Sequence, residues 1–247
     1  MAAEFQANVN TQTPLRARLS GIWTATLAML MGAGCSPTPR TWVACYHAEI
    51  APESLKGFDL VVVDGGYRGD VARLKRDGAT VLAYISLGEV ANSRPHFARA
   101  KAAGLLVAEN PNWPGAWGVD VRKPAWHRLM VAEVARDLLA RGFDGLFLDT
   151  VDSALNLEKT RPQEFAGMGA GIVTLVTQMR AQHPGISLML NGALPLVGRL
   201  RGQVKMVTME SSLTTWDFAT KKARWRTADE LAWVRDVVAK ARAANPD

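Results

Sequence analysis

Six short runs in this chain are apolar through their middles and do not alternate with polar residues. They are Trp42 to Tyr46, Asp59 to Asp64 (DLVVVD), Thr80 to Ser86 (TVLAYIS), Phe143 to Asp149 (FDGLFLD), Ile186 to Asn191 (ISLMLN) and Lys205 to Glu210 (KMVTME). A strand with one wet face alternates apolar and polar side chains. Strands that do not alternate are covered on both faces, as in a parallel sheet flanked by helices.

The segments between the runs read as those helices. Pro124 suits a first helical turn. Trp126, Met130, Val131, Val134 and Leu138 then recur at helical spacing, and Gly142 stops the helix. Phe165, Met168, Ile172, Leu175, Val176 and Met179 form a second apolar stripe, and Leu231, Val234, Val237 and Val238 a third. Strands alternating with helices predict a parallel α/β fold. A closed (β/α)8 TIM-type barrel has eight strands. The expectation is therefore a barrel of this type lacking its last two β/α units, a truncated version of a longer protein.

In such barrels chemistry sits at the C-terminal strand ends. From the second run onward each run here closes on a polar residue: Asp64, Ser86, Asp149, Asn191 and Glu210. Glu89 follows Ser86 closely, and Asp152 follows Asp149. Carboxylates gathered on one rim repel one another and shift their pKa values. A scaffold gains nothing from that, whereas acid–base chemistry uses it.

Several segments together resemble a known family. They are Ala83-Tyr84-Ile85-Ser86-Leu87-Gly88-Glu89 with Arg94, Trp117-Gly118-Val119-Asp120-Val121-Arg122 with Trp126, Gly142-Phe143-Asp144-Gly145-Leu146-Phe147-Leu148-Asp149 with Asp152, and Glu210-Ser211. In this order they are similar to the endo-α-1,4-polygalactosaminidase family, glycoside hydrolase family 114. The resemblance implies a (β/α)8 barrel and endo-hydrolysis of α-1,4-linked galactosamine polymers. It also implies a catalytic pair formed by Asp149 and Glu210. By analogy with other α-specific barrels, Asp149 is the expected nucleophile and Glu210 the acid/base, which predicts retention.

Further roles are expected around the pair, each beside a plainer one. Asp64, Glu89 and Asp152 can bind the ammonium groups of a cationic sugar chain. Equally, Asp64 can shape the turn before Gly65-Gly66, Glu89 can pair with Arg94, and Asp152 can cap a helix. Tyr84 and Trp117 can stack on sugar rings or pack the interior. Asn191 can hydrogen-bond a hydroxyl. Asp120 with Arg122 is expected to order the loop before Pro124, and Cys45 to be a small buried apolar residue.

Composition narrows the alternatives. Of 247 residues, 48% are apolar and 21% charged, the balance of a globular domain with a sizeable core. The net charge is +6, but the Lys and Arg residues are scattered rather than gathered in a stripe, so no nucleic-acid partner is expected. His47, His96, His127 and His183 are dispersed, which predicts no metal site, and no cofactor motif is visible.

Arg16 and Arg18 precede an apolar run from Leu19 to Met31 that ends at Gly32-Ala33-Gly34-Cys35. This reads as an export leader, with Cys35 the lipidated residue of a bacterial lipoprotein. A cleaved secretory signal and a plain N-terminal helix are the other readings. The expected organisation is a leader and linker over residues 1–41 and the barrel over 42–247. The location is extracytoplasmic, and a lipid on Cys35 would attach the chain to a membrane. The rival functions are a glycosidase on another α-linked glycan and a non-catalytic carbohydrate-binding envelope lipoprotein on a decayed barrel.

Overall fold

The computed structural model describes residues 39–245. Cys35 and the leader lie outside the described residues. In chain order the strands are β1 (Trp42–Cys45), β2 (Leu60–Val63), β3 (Thr80–Ser86), β4 (Glu89–Ala91), β5 (Leu106–Glu109), β6 (Ala116–Val119), β7 (Gly145–Asp149), β8 (Ser187–Asn191), β9 (Met206–Thr208), β10 (Thr214–Asp217) and β11 (Lys222–Trp225). The helices are α1 (Val71–Arg76), α2 (Phe97–Ala102), α3 (Pro124–Arg128), α4 (Arg136–Ala140), α5 (Val151–Thr160), α6 (Pro162–Phe165), α7 (Met168–Gln182) and α8 (Ala228–Ala244).

All six apolar runs form strands of one parallel sheet, in the order β1-β2-β3-β7-β8-β9. Each strand pairs with its successor in the same direction. This is the (β/α) barrel architecture, represented by six strands among the described residues. Gly145 is required where β7 meets β8, since a Cβ there would lie 1.8 Å from the Ser187 carbonyl oxygen.

Alternate residues of each strand serve opposite faces. One face carries Leu60, Val62, Leu82, Phe147 and Met189, with Trp42, Ala44, Tyr46, Tyr84 and Met206 against them. These fill the barrel interior. The other face carries Val61, Val63, Val81, Ala83, Leu146, Leu148, Leu188 and Leu190, packed beneath the helices. Burying each such side chain is worth about 1.5–3 kcal/mol, so both faces favour this parallel arrangement.

The helix begun by Pro124 runs through α3, a π-helical stretch at Leu129–Ala135, and α4, and ends before Gly142. Gly142 takes the left-handed φ of +94°. Asp120 and Arg122 order the loop before it through paired bonds of 2.8 and 2.9 Å. Two features differ from expectation. A three-stranded antiparallel sheet, β4-β6-β5, is inserted after β3, and the ribbon β10–β11 precedes α8. The sixth strand also stops at Thr208, so Glu210 stands two residues beyond it in a turn.

Candidate active site

The parity of the barrel interior builds the site. Tyr46 continues the inward series of Trp42 and Ala44. Asp64 continues Leu60 and Val62, and Tyr84 continues Leu82. Asp149 continues Phe147, Asn191 continues Met189, and Glu210 continues Met206. Each polar residue is therefore an even number of positions beyond an interior apolar one, and all converge on the C-terminal rim.

Asp149 and Asn191 are neighbours across the β7–β8 ladder, one step past the pairing of Leu148 with Leu190. The Asn191 Nδ2 donates to Asp149 Oδ1 at 2.8 Å. The same side chain stands beside Glu210 and favours its charged form. One amide thus neighbours both carboxylates. Each carboxylate also has a tyrosine hydroxyl beside it: that of Tyr84 near Asp149, and that of Tyr46 near Glu210. The two tyrosine rings meet edge to face, with centroids 5.0 Å apart.

Desolvation and then the Asp149 charge raise the pKa of Glu210, although the residue keeps an exposed surface; Asn191 and Tyr46 beside it oppose that rise. Asp152, in the first turn of α5, is raised for the same two leading reasons. Burial and the carboxylate charges push both tyrosine hydroxyls up, so they remain protonated donors.

Three non-glycine residues just past the site residues adopt left-handed backbone: Thr150 (φ 56°), Ala193 (φ 48°) and Ser211 (φ 55°). Such conformations cost about 1–3 kcal/mol each and persist where surroundings enforce them. At Thr150 the enforcing contacts are visible. Its Oγ1 is 2.7 Å from Ser86 Oγ and accepts from the Gly88 N–H at 3.0 Å. A Cβ on Gly88 would lie 2.2 Å from the Thr150 carbonyl oxygen.

Other expected residues fall into place with one correction. Arg94 pairs with Asp64, at 2.8 and 2.5 Å, and not with Glu89. Its guanidinium also lies 5.8 Å from the Tyr84 ring centroid. The Asp64 turn is shaped as expected, with the Gly66 N–H donating to Asp64 Oδ1 at 2.6 Å, and Arg141 holds the Gly65 and Tyr67 carbonyls. Glu89, 8% exposed, accepts from Asn110 Nδ2 at 3.0 Å and Ser153 Oγ at 2.7 Å. Trp117 stands on β6, half-buried, with its ring 6.5 Å from that of Phe97. The structure thus brings Asn191 and Asp149 to Glu210 and Tyr84 to Asp149, and places Trp117 in the antiparallel sheet. Cys45 is half-buried and free.

Tyr46 was not expected here. As the end of an apolar run it reads as core, yet its even-numbered parity with Trp42 and Ala44 was a usable signal. Among the described residues no group of three or more His, Cys, Asp and Glu is arranged to hold a metal, and no helix is long and apolar enough to cross a membrane.

A parallel sheet of this order, flanked by helices, is the architecture of TIM-barrel glycoside hydrolases. The sequence profile of glycoside-hydrolase family GH114 matches residues 26–242, and the chain belongs to that family. A Deinococcus radiodurans protein is 29% identical over 174 residues, 67% of this chain and 56% of that one, so the chain spans little more than half the length of this relative. The glycoside hydrolase domain of PelA from Pseudomonas aeruginosa is similar at 26% identity and TM-score 0.74, over 83% of this chain and 81% of that one. Aspergillus fumigatus Ega3, solved with galactosamine, shares the fold at 20% identity and TM-score 0.55, over 71% of each chain.

Proposed function

We propose that the chain hydrolyses α-1,4-linked galactosamine-type polysaccharide internally, with retention. The single observation that supports this reading most is the Asn191 side chain bonded to Asp149 with Glu210 beside it at the C-terminal strand ends. Hydrolysis of a glycosidic bond needs two carboxyl groups flanking it, one protonated at the outset and one not. Glu210, its pKa raised by desolvation and by the Asp149 charge, is suited to hold the proton. Asp149, its oxygens oriented by Asn191 and Tyr84, is suited to attack.

In the first step Asp149 forms a bond to the anomeric carbon. The bond to the leaving oxygen breaks, and Glu210 transfers its proton to that oxygen. In the second step Glu210 takes a proton from water as the water oxygen displaces Asp149. Asp152 contributes negative charge beside the pair, which favours a substrate bearing ammonium groups. Ega3, whose structure contains galactosamine, is consistent with that choice of sugar.

Digestion of α-1,4-galactosaminan preparations of graded N-acetylation tests the reading. Release is expected to rise with the fraction of free amines, and NMR is expected to show the α-anomer first. First release of the β-anomer would overturn retention, and cleavage confined to neutral α-glycans would overturn the substrate. The reading also places the enzyme outside the cytoplasm, tethered by a lipid on Cys35. Labelling with an alkyne fatty acid that persists in Cys35→Ser would remove that tether.

A further inference from the structure

The ribbon β10–β11 has two unlike faces. Its antiparallel register pairs Thr214 with Trp225 and Trp216 with Ala223. Opposed residues share a face, and successive residues alternate. One face therefore carries Trp216 and Trp225, and the other carries Asp217, Lys222 and Arg224. The charged face is engaged. Arg224 forms two bonds of 2.8 Å with Glu230, and Asp217 accepts the backbone N–H groups of Ala219 and Thr220. The aromatic face is open, with Trp216 50% and Trp225 75% exposed, and Phe218 in the adjoining turn 48% exposed.

The ribbon is fastened to the segment that follows Glu210. Arg226 ties the ribbon back to the segment just after Glu210, donating from Nε to the Ser211 carbonyl at 2.7 Å. Phe218 meets Trp113 edge-on, with centroids 6.3 Å apart. Trp113 lies in the turn between β5 and β6, in the insertion that follows β3. In the sheet order β7 and β8 stand between β3 and β9. The Phe218–Trp113 contact therefore joins the two insertions that flank the strand ends bearing Asp149 and Asn191.

Exposed aromatic patches of this kind mark binding surfaces. A pyranose ring has a polar rim and apolar C–H faces, which match flat rings whose edges stay wet. We propose that Trp216, Phe218 and Trp225, with Trp113, form a stacking platform for sugar residues of a glycan chain beyond the one being cleaved. The proposal rests on the glycosidase reading above and extends it to chain length. Sugars bound there add affinity for a polymer and add nothing for a single-sugar aryl glycoside.

The test compares wild type with Trp216→Ala/Phe218→Ala and with Trp225→Ala. KM and kcat are measured on α-1,4-galactosaminan and on an aryl α-galactosaminide, beside polymer binding by affinity electrophoresis and mass by sedimentation. Loss of two stacking rings is expected to weaken polymer binding and raise its KM about tenfold, leaving the aryl glycoside unchanged. Polymer handling equal to wild type would overturn the platform, as would equal loss on both substrates. A fall in oligomer mass without a change in polymer binding would overturn it too, by making the ribbon a subunit contact. If wild type binds polymer through these rings but cleaves nothing, the platform stands and the catalytic reading fails. If wild type neither binds nor cleaves it, both fail.

Discussion

Asn191 donates to Asp149 at 2.8 Å from the neighbouring strand, and Glu210 stands beside them in the turn after β9. The Asp149 carboxylate is thereby tied to sheet register, whereas Glu210 is carried by the segment just past its strand.

Tyr46 supplies the first prediction. Its hydroxyl stands beside the Glu210 carboxylate and stabilises the charged form. Tyr46→Phe removes that hydroxyl, and the already raised Glu210 pKa climbs further. Glu210 works as the protonated acid, so activity falls as pH rises through its pKa. The alkaline limb of the kcat/KM profile is expected to move up by about half a pH unit to one unit. A limb that stays put or moves down would show that Tyr46 does not tune Glu210.

Arg94 supplies the second. It holds Asp64 with two bonds and covers the Tyr84 ring, whose hydroxyl stands beside Asp149. Arg94→Ala leaves Asp64 without its partner on an acidic rim. A loss of about 2 kcal/mol in stability is expected, with kcat reduced about tenfold. Arg94→Lys is expected to recover little, because an ammonium cannot reproduce the two-pronged contact. Chemical denaturation and steady-state kinetics read both effects, and full recovery by lysine would contradict the role assigned to the fork.

Gly88 supplies the third. Its missing Cβ is what lets the loop after β3 pass the Thr150 carbonyl, since a Cβ would lie 2.2 Å away. The obstacle is backbone, so no side chain can swing aside. Gly88→Ala is expected to cost about 2–3 kcal/mol and to displace the residue next to Asp149, lowering kcat more than it raises KM. An unchanged melting curve would mean that the loop has another route.

The strands were legible because a run apolar on both faces has few other places to fold. The inward parity that gathers Asp64, Tyr84, Asp149, Asn191 and Glu210 was written in the same runs. Tyr46 obeys that parity, but its ring disguises it as core. The pairing of Arg94 with Asp64 was not legible. It joins residues thirty positions apart, and it depends on the antiparallel sheet that follows β3. That sheet has short strands, half-buried and irregular in register, so its residues lack a clear period. The left-handed Thr150 was hidden for the opposite reason. A β-branched residue is a poor choice for that backbone, and the bonds to Ser86 and Gly88 that hold it come from the end of β3 and the loop after it.

The central claim is that Asp149 and Glu210 together break the glycosidic bond. It is tested by the rate at which wild type, Asp149→Asn and Glu210→Gln release product from α-1,4-galactosaminan, with circular dichroism melts confirming that each is folded. Both substitutions nearly preserve shape and remove one carboxyl, so each folded variant is expected to lose about a thousandfold in kcat. Release by either folded variant at the wild-type rate would contradict the account.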